Sequence, residues 1–388
     1  MEVRTAKRLE GIGEYYFSQK LREIEMLRQQ GKNIINLGIG SPDLPPHPDV
    51  IRVLQEESSR TDVHAYQSYK GSPILRKAMS DWYHTWYQVS LNPDTEVLPL
   101  IGSKEGIMHI CMTYLNEGDA ALIPNPGYPT YSAAVKLTGA TPIPYLLQAD
   151  NGWQPNIAEL ESHDLSKVKL MFVNYPHMPT GQLPSVAVLE QLIAFAQKHQ
   201  ILLVHDNPYS FILNDTPMSL LSLPHAKEVV LELNSLSKSQ NMAGWRIGML
   251  CAAKERIDEV LRFKSNMDSG MYLPVQLAAA KALQLGPEWY ASVNATYAER
   301  RQYAFELLDL LGCDYSKNQV GMFVWAAIPA GVESGYTLSD KVLYETDVFI
   351  TPGGIFGSAG DRYVRVSLCA PVEKLKESIQ RIKAHFHK

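Results

Sequence analysis

Residues 235–248 read SLSKSQNMAGWRIG. Lys238 sits among Ser235, Ser237 and Ser239, and Arg246 follows eight positions later. A lysine amine can form a Schiff base with a carbonyl compound, and an arginine with clustered hydroxyls can hold a dianion through charge-assisted hydrogen bonds. A second cluster, GSKEG at 102–106, follows an apolar run and opens a helix-like segment. Its backbone N–H groups and helix dipole suit a phosphate. Asp206 closes the run ILLVHD, with Tyr209 three residues on. Together these groups offer a phosphate cradle, an acidic partner for a cationic ring nitrogen and a lysine for a Schiff base. The usual nucleotide loops do not account for them. GIG at 38–40 has Asp43 where G-x-G-x-x-G needs its last glycine, and neither G-x-x-x-x-G-K-[ST] nor H-E-x-x-H occurs.

The elements that must carry these residues are legible as well. Between about residues 96 and 253, short apolar runs alternate with helix-like segments. The candidate strands are EVLPLIGS, AALIPNP, TPIPYLL, VKLMFVNYP, ILLVHDNPY, EVVLELNSLS and IGMLCAA. Several are nearly continuous in Val, Ile and Leu, as strands covered on both faces must be. Ile107, Ile110, Cys111 and Tyr114 share one helical face, and Leu189, Leu192, Ile193 and Ala196 share another behind a Ser185 N-cap. This predicts an α/β fold whose mostly parallel, seven-stranded sheet lies between helices. In open α/β sheets ligands sit beyond the carboxyl ends of the strands, where the polar clusters fall.

After about residue 280 the texture changes to a long polar helix, the runs VGMFVWAAIP, VFITPGG and YVRVSLC, and a last helix from Pro371 with Leu375, Ile379, Ile382 and Phe386 on one face. That predicts a smaller α+β domain. The expected division is an N-terminal arm over 1–45, a large domain over 46–280 and a small C-terminal domain over 281–388. The arm's helix, YYFSQKLREIEMLRQQGKN, should pack with the small domain.

The 388 residues are 45% hydrophobic with a formal net charge of -5, enough for a large core and too mild for a nucleic-acid tail. Cys111, Cys251, Cys313 and Cys369 lie far apart and form no C-x-x-C pair, so neither a metal site nor a disulfide framework is expected. The N-terminus lacks a signal peptide's apolar core, and no apolar run approaches the ~18 residues needed to span a bilayer. The expectation is a soluble, cytoplasmic protein with no nucleic-acid or membrane partner. The N-x-T sequons at Asn214 and Asn294 are then chance matches.

With these motifs in order, the chain resembles the pyridoxal-phosphate-dependent class I/II aminotransferases of fold type I. NLGIGSPDLP (36–45), YQSYKGSPILRKAM (66–79), LIGSKEGI (100–107), NPGYPTY (125–131), HDNPY (205–209), the lysine motif and YVRVSL (363–368) match the family's segments in register over nearly the whole chain. The resemblance implies transfer of an amino group between an L-amino acid and a 2-oxo acid. It implies that Lys238 holds pyridoxal 5'-phosphate as a Schiff base and moves the proton. Asp206 would keep the pyridine nitrogen protonated, Tyr209 would donate to the phenolic oxygen, and Tyr128 would stack on the ring. Ser103, the backbone of Lys104, Ser235, Ser237 and Arg246 would surround the phosphate. Tyr66 would reach that phosphate from the other subunit of a homodimer. Arg365 would grip the substrate carboxylate as a fork, helped by the backbone of Gly40. Nearby positive charge would lower the pKa of Lys238.

One departure stands out. The family pattern N-P-T-G supplies an asparagine that donates to the phenolic oxygen, but NYPHMPTG places Met178 there. Methionine cannot donate. Asn174 or His177 could compensate, Tyr209 could act alone, or Met178 could simply pack. A carbon–sulfur lyase with the same cofactor shares the first chemical steps and stays open at this stage. A cofactor-binding DNA sensor would need an N-terminal helix-turn-helix module, and the roughly forty residues before the glycine segment are not strongly basic, so that reading is not expected. Within the family, LPLIGSKEGIMHI and TPGGIFG resemble most the group of alanine and LL-diaminopimelate aminotransferases. Tyr15, Tyr16 and Phe17 match that group's aromatic segment near the substrate, and serve equally as helix-packing residues.

Overall fold

The computed structural model describes residues 3–10, 12–14 and 16–386. Its centre is a seven-stranded sheet in the order Val97–Leu100, Gly248–Cys251, Val230–Ser235, Leu202–Asp206, Val168–Asn174, Ala120–Asn125, Thr141–Leu146. All seven runs picked out in the sequence form these strands. Gly248–Cys251 runs antiparallel to both neighbours, and the remaining pairs are parallel.

Successive side chains feed two apolar clusters, one on each face. Leu170 and Phe172 join one with Ile107, Ile110 and Cys111. Met171 and Val173 join the other with Leu189, Leu192, Ile193 and Ala196. This two-sided burial is why the strands read as apolar runs rather than alternating ones. The edge strand Thr141–Leu146 is the exception. It is mostly exposed or half-buried and carries Pro142 and Pro144, which offer no N–H to a stray strand. The Ser103–Tyr114 and Val186–His199 helices lie where the spacing put them, and Ser185 Oγ accepts from Val188 N at 3.3 Å as the N-cap.

Beyond the sheet, the 24-residue Pro287–Leu310 helix leads to an antiparallel sheet in which Tyr363–Ser367 lies between Phe323–Ala327 and Thr351–Pro352. The Gly335–Thr346 and Val372–Phe386 helices pack with it, the latter burying Leu375, Ile379 and Ile382. The N-terminal helix, Tyr16–Gln29, lies against this region: Ile24 joins Ile34, Leu343 and Phe349 in a small core, and Lys20 Nζ bonds Asp340 Oδ1 at 3.2 Å. The segment after it pairs Ile35–Asn36 with Val348–Phe349. Arg300 then anchors the segment, taking both oxygens of Asp43 at 2.6 and 2.8 Å. Among the described residues, no helix is long and apolar enough to cross a membrane.

Candidate active site

Three neighbouring parallel strands end on Asn174, Asp206 and Ser235. All three residues line one cavity of about 390 Å³, together with the start of the Ser103–Tyr114 helix and residues from the C-terminal sheet. That volume falls in the ordinary range for small-molecule sites, roughly 300–1,000 Å³. Its charged lining is Lys104, Lys238, Arg246 and Arg365 against the single carboxylate of Asp206. Such an excess of cations suits a ligand set with more than one anionic group.

One end is built for a dianion. Gly102, with φ +87°, precedes the Ser103–Tyr114 helix, and a Cβ there would lie 2.2 Å from Arg246 Nη2. Only glycine lets that guanidinium approach the helix N-terminus. Ser103 Oγ lies 3.0 Å from Asn234 O, and Ser235 Oγ lies 2.9 Å from Ser237 Oγ. Hydroxyls, a helix N-terminus and Arg246 therefore converge. Arg246 itself adopts φ +60°, a left-handed conformation that costs a non-glycine residue energy and places its chain in the turn closing on Gly248.

At the other end Asp206 is buried, 6% exposed. Its Oδ2 accepts from the Tyr131 hydroxyl at 2.7 Å, while Oδ1 is buried with no hydrogen-bond partner. Burial raises its pKa to about 6, opposed by the Tyr131 hydrogen bond. An orphaned carboxylate oxygen in a cavity is what a cationic N–H would satisfy.

Lys238 stands between the two ends. Its Nζ donates to Gly40 O at 2.6 Å and lies 5.8 Å from the centre of the Tyr209 ring. Its pKa is lowered, first by burial and further by Arg365 and Arg246, while Cys369 and Asp206 oppose the shift. The nearby positive charge expected from the sequence acts in the predicted direction, and burial is the larger cause. Gly40 is where a side chain could not fit, since a Cβ would meet Phe323 Cζ at 2.2 Å.

Arg365 reaches the cavity from the Tyr363–Ser367 strand and is 3% exposed. Its guanidinium carbon lies 3.8 Å from the Phe323 ring centre and 4.6 Å from that of Phe356. Nη2 donates to Gly38 O at 2.8 Å, and Nη1 meets Met178 Sδ at 3.3 Å. A flat, buried fork between aromatic faces is the geometry for a carboxylate.

Lys238, Asp206, Tyr209, Tyr128, Ser103, Lys104, Ser235, Ser237, Arg246, Asn174, Arg365 and Gly40 all line this cavity. Tyr66 does not: it stands 93% exposed on the chain's outer surface. Tyr16 faces a neighbouring groove and the Tyr336 ring, because the helix turns it aside. Phe17, one position on, and Leu21, a turn later, line the cavity instead. Tyr15 lies outside the described residues. Ser239 also leaves the cradle, its Oγ bonding Gln240 Oε1 at 2.5 Å. His177 bonds Thr180 and does not line the cavity, so it supplies no donor in place of Met178. Asn174 does line it, but its amide is engaged with Asp206 O at 2.6 Å and Met178 N at 2.8 Å. The sequence reading missed Tyr131, which lies three residues after Tyr128 in the quoted NPGYPTY, and the aromatic frame of Phe323 and Phe356.

This fold with this cavity is that of a fold-type I pyridoxal-phosphate enzyme. Residues 32–382 match the family model described as aminotransferase class I and II. The chain belongs to that family and is a pyridoxal-phosphate-dependent aminotransferase. It is 39% identical to the LL-diaminopimelate aminotransferase of Dehalococcoides mccartyi over 98% of both chains, and 38% identical to that of Moorella thermoacetica, again over 98% of both. Among solved structures, apo-BacF from Bacillus subtilis superposes with a TM-score of 0.94 at 37% identity, covering 99% of this chain and 98% of that one. An aspartate aminotransferase mutant from Thermus thermophilus shares the fold with a TM-score of 0.91, 23% identity and coverage of 99% and 100%. The family and these names favour transamination over the carbon–sulfur lyase reading.

Proposed function

We propose that Lys238 is the residue to which pyridoxal phosphate attaches and that its Nζ moves the reacting proton. The carrying observation is one cavity that joins a buried lysine of lowered pKa, an unpartnered carboxylate oxygen on Asp206 and a hydroxyl–arginine cradle. When bound, the cofactor supplies an electron sink that acidifies the Cα–H of the amine joined to it. Asp206 Oδ1 would hold the pyridine N–H, and Tyr131 keeps that carboxylate turned. Ser103, the Lys104 backbone, Ser235, Ser237 and Arg246 would hold the phosphate. Tyr128 would cover the ring, and Tyr209 would donate to its phenolic oxygen, with the second N–H of Asn174 Nδ2 as a further donor beside it. Arg365 would clamp the α-carboxylate of an L-amino acid so that its Cα–H faces Lys238 Nζ. That amine, its pKa lowered first by burial, would take the proton from Cα. Water and a 2-oxo acid then exchange through the same site.

The chain's partner would be a second copy of itself. Tyr66 (93% exposed), Ile74 (58%) and Met267 (51%) expose apolar surface near the Gln67–Gly270 bridge. A homodimer covering this face would bring Tyr66 to the neighbouring phosphate. On the names of its relatives, the donor to test first is LL-diaminopimelate, with 2-oxoglutarate and pyruvate as acceptors. The loaded protein should absorb visible light near neutral pH and lose that band when a true donor is added. Lys238→Ala should show neither the band nor turnover. Turnover at the wild-type rate by that variant would refute the assignment.

A further inference from the structure

Arg365 is buried, and what touches it decides how its fork is aimed. Phe323 and Phe356 cover its faces at 3.8 and 4.6 Å, which limits tilting. Rotation within its own plane depends on the contacts of the terminal nitrogens. Gly38 O holds Nη2 at 2.8 Å, and Met178 Sδ meets Nη1 at 3.3 Å. We infer that Met178 is a positioning residue: its thioether fixes the in-plane setting of Arg365 for a substrate carboxylate without competing for it.

A thioether is a weak, uncharged acceptor. A carboxylate makes charge-assisted bonds to a guanidinium that are roughly twice as strong as neutral ones. A partner that binds end-on needs one hydrogen from each terminal nitrogen, and each nitrogen carries two. An amide or carboxylate side chain at position 178 would instead bid for the hydrogens the substrate needs. Methionine is flexible and by itself a poor guide. Here its backbone is tied down. Met178 N donates to Asn174 Oδ1 at 2.8 Å, and Asn174 Nδ2 donates to Asp206 O at 2.6 Å. The turn that follows is closed by Gly181 N to His177 O at 2.7 Å and His177 N to Gln182 O at 2.9 Å. Met178 is itself 6% exposed. The sulfur is thus referenced to the strand end that carries Asp206, and it passes that reference to Arg365.

The inference rests on the carboxylate role proposed for Arg365, so the test separates the two. The holoenzyme and its Met178→Leu, Met178→Gln and Arg365→Lys variants are compared with three probes. These are the best L-amino donor, propionate as an unreactive carboxylate inhibitor, and n-propylamine, which lacks the carboxylate, followed by absorbance. Leucine keeps the volume and removes the sulfur. Met178→Leu should raise the donor KM and weaken propionate by roughly three- to tenfold, the scale of one modest hydrogen bond. Its kcat and its n-propylamine binding should stay within about twofold of wild type. Met178→Gln should weaken propionate further. In an Arg365→Lys background, Met178→Leu should add nothing. If Arg365→Lys leaves propionate unaffected, the carboxylate reading of Arg365 fails and this inference with it. If Arg365→Lys weakens propionate while Met178→Leu does not, the inference alone fails. An equal loss of propionate and n-propylamine in Met178→Leu would mean that the methionine only packs, which also overturns it.

Discussion

The Tyr131 hydroxyl donates to Oδ2 of Asp206 at 2.7 Å, and the same ring lies flat on Phe172, 4.8 Å between centres at 15°. One aromatic residue thereby joins the apolar cluster under the sheet to the carboxylate at the sheet's end. The arrangement leaves Asp206 Oδ1 as the oxygen without a partner. A buried carboxylate held by one oxygen cannot swing both away from a ligand, so the orientation is set before anything binds.

Tyr131→Phe should therefore preserve the stack and release the carboxylate. A hydrogen bond to a charged group is worth about 1.5–3 kcal/mol. We expect weaker cofactor affinity and a kcat/KM lowered on the order of 10- to 100-fold, with Tyr128→Phe affecting both less. Cofactor titration by absorbance alongside steady-state rates checks this. Unchanged affinity would show that Asp206 is held by its surroundings and not by Tyr131.

Arg365→Lys keeps the charge and loses the fork. The cost should fall on kcat/KM for amino acids, about 1.5–3 kcal/mol, with the cofactor band intact because the cradle around Arg246 is elsewhere. Loss of the band with normal amino-acid affinity would place Arg365 in the wrong subsite.

His177 predicts a pH effect on the fold. Burial lowers its pKa from 6.5 to about 3. Below about pH 6.5 the unfolded chain takes up a proton that the folded chain refuses, so stability falls as pH drops through this window, by about 1.4 kcal/mol per pH unit. Asp206, raised to about 6 in the cofactor-free protein, acts in the opposite sense between about 6 and 4. Relative to wild type, cofactor-free His177→Gln should gain stability as pH falls from about 6.5 to 4.5, because the Asp206 contribution is then no longer offset, and melting curves over that range read the difference. Parallel curves would show that His177 charges within the folded state.

Shared active sites can be tested by mixing. Lys238→Ala subunits and weakly active Tyr66→Ala subunits should regain part of the wild-type rate after exchange, since one hybrid site carries both native residues. Absence of recovery despite demonstrated exchange, or a fully active monomer in sedimentation, would exclude the proposed crossing of Tyr66.

The strands were legible because double-sided burial writes itself into the sequence as apolar runs. Their order in the sheet was not, since IGMLCAA looks like its parallel neighbours and yet runs against them. Ser235, Ser237 and Ser239 are equivalent as a string. They part company because Asn241 N bonds Lys238 O at 3.2 Å and Asn241 takes φ +54°, which bends the chain after the lysine and carries Ser239 off. Phe17 and Leu21, spaced by four, were readable as one helical face, but nothing local says which partner that face meets. Phe323 and Phe356 enter the site through the folding of distant segments onto the sheet, for which no short spacing is a signal.

The reversed strand has a kinetic consequence. Ser235 pairs with Gly248, only 13 positions on, whereas Asp206 pairs with Leu233 and Asn174 with Asp206 across 27 and 32. Short loops close at lower entropic cost than long ones, so this hairpin is the most local pairing of the large sheet. The lysine therefore rides on a piece of structure that can assemble from its own neighbourhood, while the acid, the fork and the glycine carbonyls must be delivered to it from remote parts of the chain. In folding time, this locality predicts that Lys238 is placed early and that the residues that make it reactive arrive afterwards.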